Sequence, residues 1–211
     1  MIKYFQNLIQ LIISPEKGWE DLARDGAADL LPSDSNNTPL ATSCSKAKSV
    51  SDRNYERVMY RFKKCYLPAI GICACSHFVR LFYSDNLDVL DALQRAIVTF
   101  VSLFLSAEFA KYAFQIYLPK LTTSGTINRA RALEMIMFCL TFMGLITLIE
   151  NVVKVNIALL DFLPLYAIFM ICKGEKYMNI AEQNIGQFVV LASLSILGSG
   201  YVISFLLNAL I

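Results

Sequence analysis

Residues 93–118 read LQRAIVTFVSLFLSAEFAKYAFQIYL, with only Arg95, Glu108 and Lys111 carrying charge. At 1.5 Å per residue, a helix of that length covers the roughly 30 Å hydrocarbon core of a bilayer, which needs about 20 predominantly apolar residues. Outward from this stretch lie four more apolar runs, 66–83, 133–150, 155–172 and 187–211, each bounded by charged or helix-breaking residues. The shorter ones cross with help from flanking residues or local bilayer thinning. The expected fold is all-α: a polytopic transmembrane bundle of five helices, its termini on opposite sides, preceded by N-terminal amphipathic helices.

Composition agrees. Of 211 residues 56% are hydrophobic and 17% charged, and the mean hydropathy is +0.50, whereas a globular domain carries about a quarter charged residues. These values exclude a disordered chain, a collagen and an enzyme with a polar surface. A net charge of +2 creates no field that would attract nucleic acid, so none is expected as a partner. The six cysteines lie scattered, mostly inside apolar runs, and read as reduced and structural.

The distribution of lysine and arginine assigns the sides. Ten precede the first run, three lie between runs two and three, and two between runs four and five, all on one side of a five-span chain. The opposite loops offer Arg95 and Lys154, beside the acidic Asp85, Asp88 and Asp91. The positive-inside rule then places the N-terminus in the cytoplasm and the C-terminus outside.

Before the first run, residues 1–14 (MIKYFQNLIQLIIS) alternate polar Lys3, Gln6, Asn7 and Gln10 with apolar Ile2, Phe5, Ile9 and Ile12 at helical spacing. This helix is too short to span and has no small-residue cleavage site, so it reads as interfacial or packed on the bundle, not as a signal peptide. Ser14-Pro15-Glu16 restarts a helix, and Trp19 on it is expected at headgroup level as a membrane-interface anchor. Residues 1–23 thus form the amphipathic part. Residues 24–52, rich in Ser, Thr, Asn, Asp and Pro, read as a flexible polar linker. From 53 to 211 a basic juxtamembrane helix with Arg53, Arg57, Arg61 and Lys64 leads into the five spans.

Ionisable groups inside the bilayer cost about 2.5 to 3.5 kcal/mol each and draw functional suspicion. Glu108 and Lys111, at i and i+3, share a helix face and neutralise one another in the structural reading, or form a partner or ion site in the functional one. Asp161 stands alone in the fourth run, three residues before Pro164, whose ring displaces a backbone carbonyl. An acid beside a broken helix is how transporters hold cations, although a kink with a paired Asp161 needs less. Cys73, Cys75 and His77 resemble soft metal ligands, but residues two apart on a helix point about 200° from each other, so no metal is expected. Ser193, Gly198 and Gly200, with Ser195 and Ser204, read as a small-residue face for helix packing. No enzyme signature and no cofactor motif is present.

The order of parts carries a resemblance. LIISPEKGWEDL at 11–22 with Ser14, Pro15 and Trp19, LSAEFAKYAF with Glu108 and Lys111, LYAIFMICKG with Tyr166 and Gly174, and the terminal SILGSGYVISFLLNALI are together similar to the Yip domain family, five-span Rab-interacting-protein-like membrane proteins, in its bacterial, Bacteroidetes-like branch. The resemblance implies a cytoplasmic N-terminus, in agreement with the charge count, and a bacterial inner membrane. Eukaryotic members bind small GTPases and act in vesicle traffic. This chain lacks their DLYGP motif before the first span, so no small GTPase is expected. The expected function is non-enzymatic: a partner-binding, assembly, trafficking or membrane-organising factor that contacts the lipid bilayer and another membrane protein or a second copy of itself. The alternative is a small transporter or channel using Asp161 with Glu108 and Lys111.

Overall fold

The computed structural model describes residues 2–28, 50–82, 88–123, 128–153 and 162–210. Its helices are α1 (Ile2–Ile13), α2 (Pro15–Ala28), α3 (Val50–Arg61), α4 (Leu67–Cys75), α5 (Val89–Leu121), α6 (Arg129–Val152), α7 (Leu163–Lys173), α8 (Ile185–Ser193) and α9 (Ser199–Leu210). No strand occurs among the described residues, only an isolated antiparallel bridge between Thr122 and Ile180. Among the described residues four helical rods, Asp52–Phe82, Val89–Leu121, Arg129–Val152 and Glu182–Leu210, are long and apolar enough to cross a membrane, and the chain is compatible with a membrane protein.

Helix α6 is the core. It is apolar around its circumference and buries Leu133, Ile136, Phe138, Leu140, Phe142 and Ile146, as a helix surrounded by protein must. It packs against α3, α4, α5 and α7. Helices α5 and α9 lie against each other at the periphery and expose Phe109, Ile116, Val202, Phe205 and Leu206. So much exposed apolar area suits lipid, not water. Asp88 caps α5 by accepting from Val89 N at 2.8 Å, and Asn128 caps α6 by accepting from Arg131 N at 3.3 Å.

Among the described residues two rods contain π turns. The basic helix α3 and the first span form one continuous rod, joined by a π turn at Phe62–Tyr66 where Leu67 N bonds to Phe62 O. Pro68 follows in the first turn of α4. A proline lacks the N–H and crowds the carbonyl four residues earlier, and the wider turn before it accommodates that loss. A second π turn, Leu194–Gly198, joins α8 to α9. Pro164, expected to kink a span, instead lies in the first turn of α7, where its missing N–H costs nothing. Helix α7 has 11 residues and is about 16 Å long, short of a crossing. The rest of the expected fourth span, with Asp161, lies outside the described residues, as does most of the expected linker: α2 continues to Ala28 and α3 begins at Val50.

Helices α1 and α2 fold back on one another. Gly18 N bonds to Ser14 O at 2.9 Å, so Ser14 accepts the first bond of α2. A Cβ on Gly18 would lie 2.9 Å from Leu11 Cδ2 and 3.0 Å from Leu11 Cα, so the hairpin closes only because residue 18 has no side chain. The inward face of α1 is Tyr4, Leu8 and Leu11, while Ile2, Ile9 and Ile13 are exposed. This differs from the expected Ile2, Phe5, Ile9 and Ile12 face, because the apolar arc of α1 is wide enough to serve both the bundle and a second apolar surface.

Candidate functional site

Two charged assemblies flank the α3–α4 rod, and sequence reasoning singled out one of them. On α5, Lys111 Nζ lies 2.7 Å from the Glu108 carboxylate and 5.5 Å from the centre of the Phe62 ring. The side chains are 17% and 32% exposed for Lys111 and Glu108, so the charges meet each other in a largely dry setting. Phe62 stacks on Tyr66 at 4.8 Å, and the Tyr66 hydroxyl donates to Leu103 O at 2.9 Å. The i, i+3 pair therefore closes on itself at the π turn of the neighbouring rod.

The second assembly centres on Glu134, near the start of α6. Its side chain is 13% exposed, and both carboxylate oxygens are engaged. Arg61 Nη1 from α3 lies 2.9 Å from Oε1, and the Tyr177 hydroxyl donates to Oε2 at 2.5 Å. Arg131 Nη1 donates to Tyr177 O at 2.9 Å, with its guanidinium 5.2 Å from the Tyr177 ring. The loop carrying Tyr177 is pinned by Ala181 N to Leu121 O and Thr123 N to Asn179 O, both 3.1 Å. Asn179 supplies a left-handed φ of 54° there, which Asn tolerates better than most residues. A buried carboxylate needs such compensation, since an unpaired one would be costly.

Aromatic rings carry this assembly into the α1–α2 hairpin. Trp19 lies 5.0 Å from Tyr177 and edge-on to Phe138 at 6.3 Å, and Phe138 stacks on Tyr4 at 5.0 Å. The Tyr4 hydroxyl meets Thr141 Oγ1 at 2.6 Å, Tyr166 donates to Ile12 O at 2.5 Å, and Trp19 Nε1 donates to Met170 O at 3.0 Å. The expected headgroup anchor is thus corrected: Trp19 is 2% exposed and satisfies its N–H on the last turn of α7, so protein surrounds it. Burial pushes the Tyr4 and Tyr177 hydroxyls well above the usual tyrosine range, with the Glu134 charge adding to the effect at Tyr177. Both remain donors. Between α1 and the α3 rod a cleft of about 130 Å³ opens, lined by Lys3, Asn7, Arg61 and Glu134 with Met137 and Phe138. On the other side of the hairpin, Glu16 lies 3.6 Å from Lys173 Nζ and 3.8 Å from Lys176 Nζ.

The remaining candidates do not converge with these. Gly200 faces α5, where a Cβ would lie 3.4 Å from Ser106 Oγ, whereas a Cβ on Gly198 would meet only Leu194 of its own rod, at 3.0 Å. Ser193 Oγ is buried without a hydrogen-bond partner. The contact with α5 is instead completed by Ser195, whose Oγ is 3.0 Å from Tyr117 Oη. Cys73 is buried and Cys75 exposed, and His77 Nε2 sits 2.8 Å from Thr99 Oγ1. No group of three or more His, Cys, Asp or Glu able to hold a metal occurs among the described residues.

Sequence reasoning gave Glu134 no role. The available signal was a lone carboxylate at the mouth of a very apolar run, three residues after Arg131. Comparison with protein-family models, with curated proteins and with solved structures returns no match.

Proposed function

We propose that the chain is a multi-pass integral membrane protein of the five-span, Yip-like kind, set in a bacterial cytoplasmic membrane with its N-terminus inside. Its work is non-enzymatic: it binds a membrane-protein partner or a second copy of itself and so organises or assembles membrane components. The observation that carries this reading is the docking of the α1–α2 hairpin on α7 through Trp19 to Met170 O and Tyr166 to Ile12 O, and on α6 through Tyr4 to Thr141 Oγ1. A helix pair held this firmly against the bundle gives the protein a fixed surface on one side of the membrane, built from α2 and the basic α3. In this reading residues 155–172 are the fourth of the five crossings, and Glu108 and Lys111 neutralise each other instead of serving a permeating ion.

The test is photo-crosslinking in native membranes from Lys17 on α2, Lys63 beside α3 and Phe205 on α9. The first two positions are expected to give a discrete protein adduct, and Phe205 only lipid adducts. An ion or solute flux in reconstituted vesicles that disappears in Glu108→Gln, without any discrete adduct, would favour the transporter reading instead.

A further inference from the structure

The cleft between α1 and the α3 rod has a composition that the proposed partner binding does not use. Lys3 and Arg61 bring two basic side chains to it and Glu134 one acidic one. Glu134 holds Arg61 by one nitrogen. The guanidinium has five N–H donors, and the Arg61 side chain stays 40% exposed while lining the opening. Asn7 adds an amide beside Lys3, and Met137 with Phe138 forms an apolar floor. The surroundings select among anions. Lys3 and Asn7 belong to the polar arc of α1, and the same helix turns Ile2, Ile9 and Ile13 outward at 77%, 54% and 77% exposure. A soluble anion would leave these isoleucines in water, whereas a lipid brings acyl chains to cover them. Basic pockets between helices at a membrane surface take anionic headgroups for the same reasons.

We infer that this cleft binds the phosphodiester headgroup of an anionic phospholipid, with Lys3, Asn7 and Arg61 as its donors and Glu134 as the residue that positions Arg61. The inference rests on the reading of the chain as a membrane protein.

The test uses the full chain reconstituted in phosphatidylcholine nanodiscs into which phosphatidylglycerol is titrated, with bound lipid counted by native mass spectrometry. Phosphatidylglycerol is expected to be retained over phosphatidylcholine. Lys3→Gln is expected to weaken that preference about fivefold, the effect of one basic residue near an anionic surface, and Asn7→Leu to weaken it as well. Lys17→Gln, which removes a charge of the same sign from α2, is expected to change nothing. Lys3 is exposed, and a thermal melt of each variant checks that the bundle stays folded. Equal retention of the two lipids, or equal losses in Lys3→Gln and Lys17→Gln, would overturn the site, and displacement of the lipid by soluble glycerol phosphate would overturn its assignment to a lipid. Carbonate extraction of native membranes tests the underlying reading separately: a chain that stays in the pellet without a phosphatidylglycerol preference loses only this site, and a chain that is released loses both.

Discussion

The Tyr177 hydroxyl donates to Glu134 at 2.5 Å across a sequence separation of 43 residues, and this bond ties the loop after α7 to the core helix. Arg61 reaches the other carboxylate oxygen from a third element, so one acid connects three parts of the chain. Removing either donor leaves part of the charge uncompensated in a site only 13% exposed. Tyr177→Phe should lower stability by about 1.5 to 3 kcal/mol, the range for a hydrogen bond to a charged group. Arg61→Leu should cost at least as much, and Arg61→Leu with Glu134→Leu should recover most of it, because a neutral pair needs no compensation. Unfolding of the four proteins in one detergent measures this, and an equally unstable double variant would contradict it.

Much of this arrangement was legible in the sequence, and the parts that were not share a cause. The runs at 93–118 and 133–150 lie within α5 and α6, because long apolar stretches between charged ends specify helices without reference to anything distant. The pairing of Glu108 with Lys111 depends only on an i, i+3 spacing, so it too could be read locally. Glu134 could not, since Arg61 and Tyr177 lie 73 and 43 residues away. Trp19 misled for the same reason: its amphipathic ring suits a headgroup layer, and only the fold brings Met170 O to its N–H. Pro164 was legible as a helix interruption but not as the start of α7, because which side of a proline becomes helical depends on the packing around it.

Trp19 is the only tryptophan, which makes its emission a direct report on the hairpin. Buried among Phe138, Tyr177 and the α7 backbone, it should emit in the blue, and lipids with headgroup-attached quenchers should barely affect it. Gly18→Val places methyl groups where even a Cβ lies 2.9 Å from Leu11 Cδ2. It should open the hairpin at a cost of about 1 to 3 kcal/mol, shift the emission to the red and expose Trp19 to the quencher. Strong headgroup quenching of the unmodified protein would contradict the docked placement.

For Glu108 and Lys111, a closed pair makes a prediction opposite to that of a working ion site. Glu108→Gln or Lys111→Met leaves one charge without its partner in a largely dry setting and should reduce the folded amount in membranes. The double variant should restore much of it, because both groups are then neutral. Membrane abundance of the three variants, compared side by side, provides the check. Normal abundance of both single variants would move the pair from structure to function.

The threading of the chain is the central claim, and reporters at two positions test it most directly. A reporter active only in the cytoplasm, inserted within residues 33–51, should be active, and one active only outside, fused after Ile211, should also be active, because five crossings place these points on opposite sides. Both points on the same side of the membrane would leave four crossings, the rods Asp52–Phe82, Val89–Leu121, Arg129–Val152 and Glu182–Leu210, and would contradict the five-span account.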